Sequence, residues 1–185
     1  MATPISQSSS VQIEAQPSIE QIWAWLADVP DPEIPVISVI DLGIVRAVAW
    51  EGDCCVVTIT PTYSGCPAML VISESIEAAL KQRGVAHFSM KTQLSPAWTT
   101  DWMSAAGKLK LKGYGIAPPA QQVIDISGLS GLNAVSRKTA SLLQVTCPNC
   151  GSSHTHCTSQ FGSTPCKALY RCDDCLEPFD YFKCH

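Results

Sequence analysis

The 185-residue chain has no basic block and no apolar run long enough to cross a bilayer, and it carries only three cysteines in its first 146 residues. Each shortage excludes something. With 12 Lys+Arg against 16 Asp+Glu the net charge is −4, so the cationic surface that non-specific nucleic-acid binding needs is missing. A membrane span is not expected. Residues 1–17 lack the charged head and apolar core of a signal peptide and read as a flexible leader. The expected compartment is the cytoplasm, where thiols stay reduced. No glycine-rich loop of the phosphate-cradling kind is present either. What is present is a hydrophobic share of 46%, enough for a folded protein of one ordinary domain with a small satellite.

The other seven cysteines fall within the last 39 residues. So uneven a distribution points to a metal-held C-terminal module and away from a chain stapled throughout by disulfides. Cys147-Pro148-Asn149-Cys150 and Cys172-Asp173-Asp174-Cys175 are two CxxC pairs separated by 21 residues. In a CxxC turn both sulfurs face one point, and two such knuckles supply the tetrahedron of a closed structural zinc site. Cys147, Cys150, Cys172 and Cys175 are therefore the expected ligands. Four thiolates can also hold a single iron or an iron–sulfur cluster, so the metal is less determined than the site. Residues 154–160, 168–171 and 178–182 are expected to pair as a three-stranded zinc ribbon over residues 143–185. Cys157 reads as a half-buried strand residue, and the histidines as surface imidazoles. Cys166 and Cys184 could cap the ribbon's core or form a second, labile thiol site.

Residues 18–118 read as a different unit. Ser18 is an N-cap with Gln21 as its capping-box partner, and the apolar spacing that follows predicts a helix over residues 19–28. Asp31-Pro32-Glu33-Ile34-Pro35 stops it. Residues 44–50 and 54–60 are strands joined by the turn Glu51-Gly52-Asp53. A helix is predicted over residues 67–83 with Gly84 ending it, a strand over residues 86–94, and a third helix over residues 100–112. The order α-β-β-α-β-α implies an α+β fold, a small mixed sheet covered by helices. The glycines and prolines between Gly113 and Pro119 open a linker, assigned to residues 119–142.

Cys66 precedes Pro67, a residue suited to the first helical position, so its thiol falls at or near a helix N-cap. There the helix end favours a thiolate, a good soft ligand for iron, copper or a persulfide sulfur. A packed thiol at a helix start is the competing reading. Cys54 and Cys55 read as strand fillers, and Asp31 and Glu33 as turn residues. His87, the one histidine of this unit, reads as an exposed strand residue and supplies no base for a nucleophilic triad.

Asp31-Pro32-Glu33-Ile34-Pro35, Asp41-Leu42-Gly43 and Gly65-Cys66-Pro67 in this order resemble the MIP-type iron–sulfur assembly domain. Thr60-Pro61-Thr62-Tyr63-Ser64-Gly65-Cys66-Pro67, Pro96-Ala97-Trp98, Thr164-Pro165-Cys166-Lys167 and Glu177-Pro178-Phe179 extend the likeness to the D-component family of phenylacetyl-CoA epoxidases over nearly the whole chain after residue 18. The resemblance implies an accessory role in aerobic phenylacetate catabolism: metal-centre or iron–sulfur cluster maturation for the oxygenase or reductase components, without catalysis. It implies a transient cluster or iron on Cys66, shared across a homodimer because one thiol cannot fill four sites. The competing expectation is a structural component stably bound in the epoxidase complex. Bundle-type diiron oxygenases hold their iron through Glu-x-x-His pairs. This chain contains none, nor a flavin or nicotinamide fingerprint, so it is neither the oxygenase nor the reductase.

Overall fold

The computed structural model describes residues 16–119 and 144–183. Residues 1–15, most of the expected linker, and Cys184 lie outside them.

Helix α1 (Ile19–Leu26) begins at Ser18, whose hydroxyl accepts from the Gln21 N–H while the Gln21 side chain accepts from the Ser18 N–H. The capping box satisfies two donors that the first turn leaves free. Strands β1 (Val45–Glu51) and β2 (Cys54–Ile59) form the expected hairpin. Helix α2 (Ala68–Gln82) then crosses over to β3 (Phe88–Thr92), which pairs parallel to β2. The sheet order β1-β2-β3 is thus mixed. Cys55, Val57 and Ile59 share one face of β2 by strand alternation. They meet Ile72, Ile76 and Leu80, which recur every four residues on α2, in the same buried cluster as Ile22 and Leu26.

Two elements depart from expectation. The third helix is divided: a 3-10 turn spans Thr100–Trp102, and α3 (Ala105–Gly113) starts at Ser104, whose hydroxyl accepts from the Gly107 N–H. Capping at Ser104 with extended backbone at Met103 interrupts the helix. The segment expected to open a linker contains β4 (Ile116–Ala117), which runs parallel to the last strand of the chain.

The ribbon consists of β5 (Thr155–Ser159), β6 (Lys167–Cys172) and β7 (Pro178–Phe182), in the sheet order β4-β7-β6-β5. One strand of this second sheet is therefore supplied by the first unit. Phe182 and Cys166 of the ribbon lie in the first unit's core. The two units share a seam.

Candidate metal centre and the Cys66 cleft

The ribbon cysteines converge as their spacing predicts. The Gly151 N–H returns to the Cys147 carbonyl at 3.0 Å, and the Cys147 N–H donates to the Ser152 carbonyl at 2.8 Å, closing the first knuckle. Gly151 has φ +78°, a left-handed conformation that glycine adopts without strain. In the second knuckle the Cys175 N–H donates to Cys172 Sγ at 3.5 Å. Cys147 and Cys175 sulfurs are 3.7 Å apart, Cys150 and Cys172 sulfurs 3.6 Å, and all four lie within 4.8 Å of one another. Zn–S bonds of about 2.3 Å in a tetrahedron require S···S edges of about 3.8 Å. The four-cysteine cluster fits zinc.

The backbone N–H of Cys175 holds the Cys172 thiol down to about 7, a ready first thiolate for a metal. The flanking carboxylates are engaged elsewhere: Asp174 with Ser152 and with His154 Nδ1 at 3.3 Å, Asp173 with His156 Nδ1 at 2.9 Å. Both histidines are exposed, as expected, and stand outside the cluster. Cys157 is exposed, not half-buried; it sits on β5, the edge strand of its sheet.

Cys66 lies at the end of a loop leaving β2. The Thr60 N–H is anchored on the Ile44 carbonyl at 2.8 Å, and the Cys66 N–H donates to the Tyr63 carbonyl at 3.2 Å. Gly65 between them has φ +80°. Pro67, with φ −68° and ψ −24°, already has helical dihedrals, so Cys66 flanks the first turn of α2. It is half-buried at a cleft also lined by Asp31, Glu33, Thr62, Cys166 and Phe182. Asp31 is buried, and its Oδ1 accepts from the Glu33 and Ile34 N–H groups at 2.9 and 2.8 Å. This is the turn chemistry expected of it. Burial nevertheless raises its carboxyl above the usual range, against those hydrogen bonds. Burial also pushes the Tyr63 phenol up to about 12, helped by its hydrogen bond with Cys66.

Cys166, expected to cap the ribbon's core or to form a second thiol site, is buried outside the ribbon's core, in the larger cluster. Its sulfur donates toward Glu33 Oε2 at 3.7 Å and meets Thr164 Oγ1 at 3.0 Å. Burial pushes this thiol up to about 11, with the Glu33 charge adding to the effect against the Thr164 hydrogen bond. Phe182, from the same sheet, packs against Trp98 at 6.1 Å between ring centroids. Trp98 in turn donates its indole N–H to the Leu42 carbonyl at 2.9 Å.

Asp41 is a clamp. Ser104 Oγ donates to it at 2.7 Å, Lys110 Nζ at 2.6 Å and the Ser38 N–H at 3.3 Å. Burial works to raise its carboxyl, but the donors, Lys110 first, together hold it below the usual range. The bend after it is set by Gly43, with φ +70°, where a Cβ would fall 2.4 Å from the Trp102 carbonyl oxygen. Cys55 is a buried strand filler beside half-buried Cys54. His87 is exposed near Asp53 at 3.9 Å.

A protein of Escherichia coli (strain K12) named as the D component of 1,2-phenylacetyl-CoA epoxidase is 47% identical over 170 residues, covering 92% of this chain and 95% of its own length. The chain belongs to this D-component family of phenylacetyl-CoA epoxidases. Two family models match separate stretches of the sequence. One, described as an iron–sulfur cluster assembly protein, matches residues 19–87 and takes in Asp31, Glu33 and Cys66. The other, described as the PaaD zinc beta ribbon domain, matches residues 133–183 and takes in the four cluster cysteines and Cys166. A protein of Porphyromonas gingivalis named Fe-S protein maturation auxiliary factor is 37% identical over 94 residues, covering 50% of this chain and 89% of its own length. A solved domain of unknown function from Bacillus anthracis superposes with a TM-score of 0.47 at 29% identity, covering 50% of this chain and 90% of its own.

Proposed function

We propose that this chain is a non-catalytic maturation factor for a metal centre of a phenylacetyl-CoA epoxidase, serving its oxygenase or reductase components in the cytoplasm. Cys66 is the transient ligand for iron or an iron–sulfur cluster. Cys147, Cys150, Cys172 and Cys175 hold a structural zinc. On this reading residues 18–118 are the working unit and residues 143–185 the ribbon, joined by residues 119–142.

The observation that carries it is the contrast between the two sulfur sites. Four ribbon thiols within 4.8 Å of one another are the closed shell of a metal that stays. A single half-buried thiol at a cleft edge has open positions through which a metal can pass. The relatives named for the epoxidase and for Fe-S protein maturation support the same role.

Anaerobic reconstitution with iron and sulfide, followed by incubation with metal-free client proteins, tests it. Wild type should take up iron and pass it on, and Cys66→Ser should do neither. Equal uptake by both would remove Cys66 from the mechanism. Normal metal loading of the epoxidase in cells lacking this chain would favour a stably bound structural component.

A further inference from the structure

The cleft beside Cys66 is built from both units. Cys66 reaches it from the loop before α2, Glu33 from the turn after α1, and Cys166 from the ribbon, just before β6. Cys166 is buried, with 5% of its surface exposed, yet it faces the other unit's Glu33 carboxylate at 3.7 Å. A second thiol aimed across the seam at a carboxylate is more than packing requires; an alanine would fill the core without a polar atom.

We propose that Cys66, Cys166 and Glu33 form a composite, labile site for one divalent transition-metal ion of the ferrous-iron class. This rests on the reading of Cys66 as a transient ligand and adds the ligand set and the guest. Two sulfurs with one carboxylate suit a borderline metal, whereas magnesium and calcium call for oxygen ligands throughout. The cleft has a cavity volume of about 10 Å³, room for a single ion or water. Among the described residues the ribbon cysteines are the group whose donor atoms all lie within 4.8 Å. The seam donors are set wider, so an ion must draw them in, and the site holds it less firmly than the ribbon holds zinc. On binding, two metal–sulfur bonds form, two S–H bonds break, and two protons leave to solvent.

The ribbon thereby becomes part of the site. The Lys183 N–H fixes the Cys166 carbonyl at 2.9 Å, and β4 pairs with β7 at Ile116–Asp180 and Ala117–Tyr181. Asp31 Oδ1 accepts from the Glu33 and Ile34 N–H groups and so shapes the turn that carries Glu33.

The test is an anaerobic titration of the full-length, zinc-loaded chain with cobalt(II), and in parallel with iron(II). Wild type should bind one further equivalent with thiolate-to-cobalt charge-transfer absorption. Cys166→Ser should weaken binding by about tenfold or more, since even an outer partner of a ligand is worth that much, and should lose part of that absorption. Glu33→Gln, at a half-exposed turn position, should weaken binding while keeping the absorption, and it tests the same site without touching the core. Zinc content and thermal melting report whether each variant is folded. If Cys166→Ser and Glu33→Gln bind as wild type does while Cys66→Ser does not, the composite site is wrong and the role of Cys66 stands. If Cys66→Ser also binds normally, both fail.

Discussion

Among the described residues, the larger buried cluster contains 24, all but Cys166 and Phe182 from the first unit, whereas the ribbon's cluster has seven, one of them Ala117 of the first unit and two the metal-site residues Cys147 and Cys172. The first unit excludes enough apolar surface from water to hold a sheet and three helices together. The ribbon is too small for that, and its stability has to come from metal–thiolate bonds. The comparison also separates two uses of sulfur. A metal that stabilises a fold cannot be given away without unfolding it, which is why the proposed cargo site centres on Cys66, outside the four-cysteine cluster.

Zinc removal puts the greatest strain on this contrast. A structural zinc contributes on the order of 10 kcal/mol. A strong chelator should therefore expose amides of residues 144–183 to hydrogen exchange while β1, β2 and α2 stay protected. Simultaneous loss of protection in both units would show that the first does not stand alone. Next comes the seam itself. Phe182→Ala should cost about 3–5 kcal/mol, as removal of a buried aromatic does, read from the denaturant midpoint. It should also make Cys166 reactive to a thiol reagent in the native protein.

Asp41→Asn sharpens the picture within the first unit. Losing charge-assisted hydrogen bonds to Lys110 and Ser104 should cost about 2 kcal/mol at neutral pH. Because the fold holds the Asp41 carboxyl below its ordinary value of 3.8, this stabilisation is present above that pH. It is lost as pH falls through 3.8 toward the folded value. Wild type and variant should therefore converge in stability on acidification, and a constant gap from about pH 7 to pH 3 would refute the clamp. The smallest effect on stability is expected at Cys66, the thiol proposed to carry iron. Cys66→Ser should cost less than about 1 kcal/mol of stability, read from the denaturant midpoint, while removing iron uptake. A large stability loss would make Cys66 a packing residue.

Much of this was legible along the chain because its signals are local. Ser18 with Gln21 three residues on announces a capped helix, and the interaction occurs within one turn. Two CxxC pairs bring their sulfurs together through knuckles of a few residues, so the ligand set can be read from spacing. The division at Ser104 was less visible: a serine N-cap looks like any polar residue until the backbone before it is known to be extended. Strand β4, two residues long, has no periodicity to detect. Cys157 and Cys166 look alike on paper, nine residues apart in one module, yet one is exposed on an edge strand and the other is buried in another unit's core.

By itself, then, the sequence determined the α+β order, the four-thiol knuckles and the special position of Cys66, since each depends on residues within a turn or two of one another. The tertiary structure alone decided that β4 joins the ribbon's sheet, that Phe182 meets Trp98, and that Cys166 faces Glu33 across 133 positions of chain. Contacts between units far apart in sequence are selected by the total burial they achieve. No local pattern encodes that quantity.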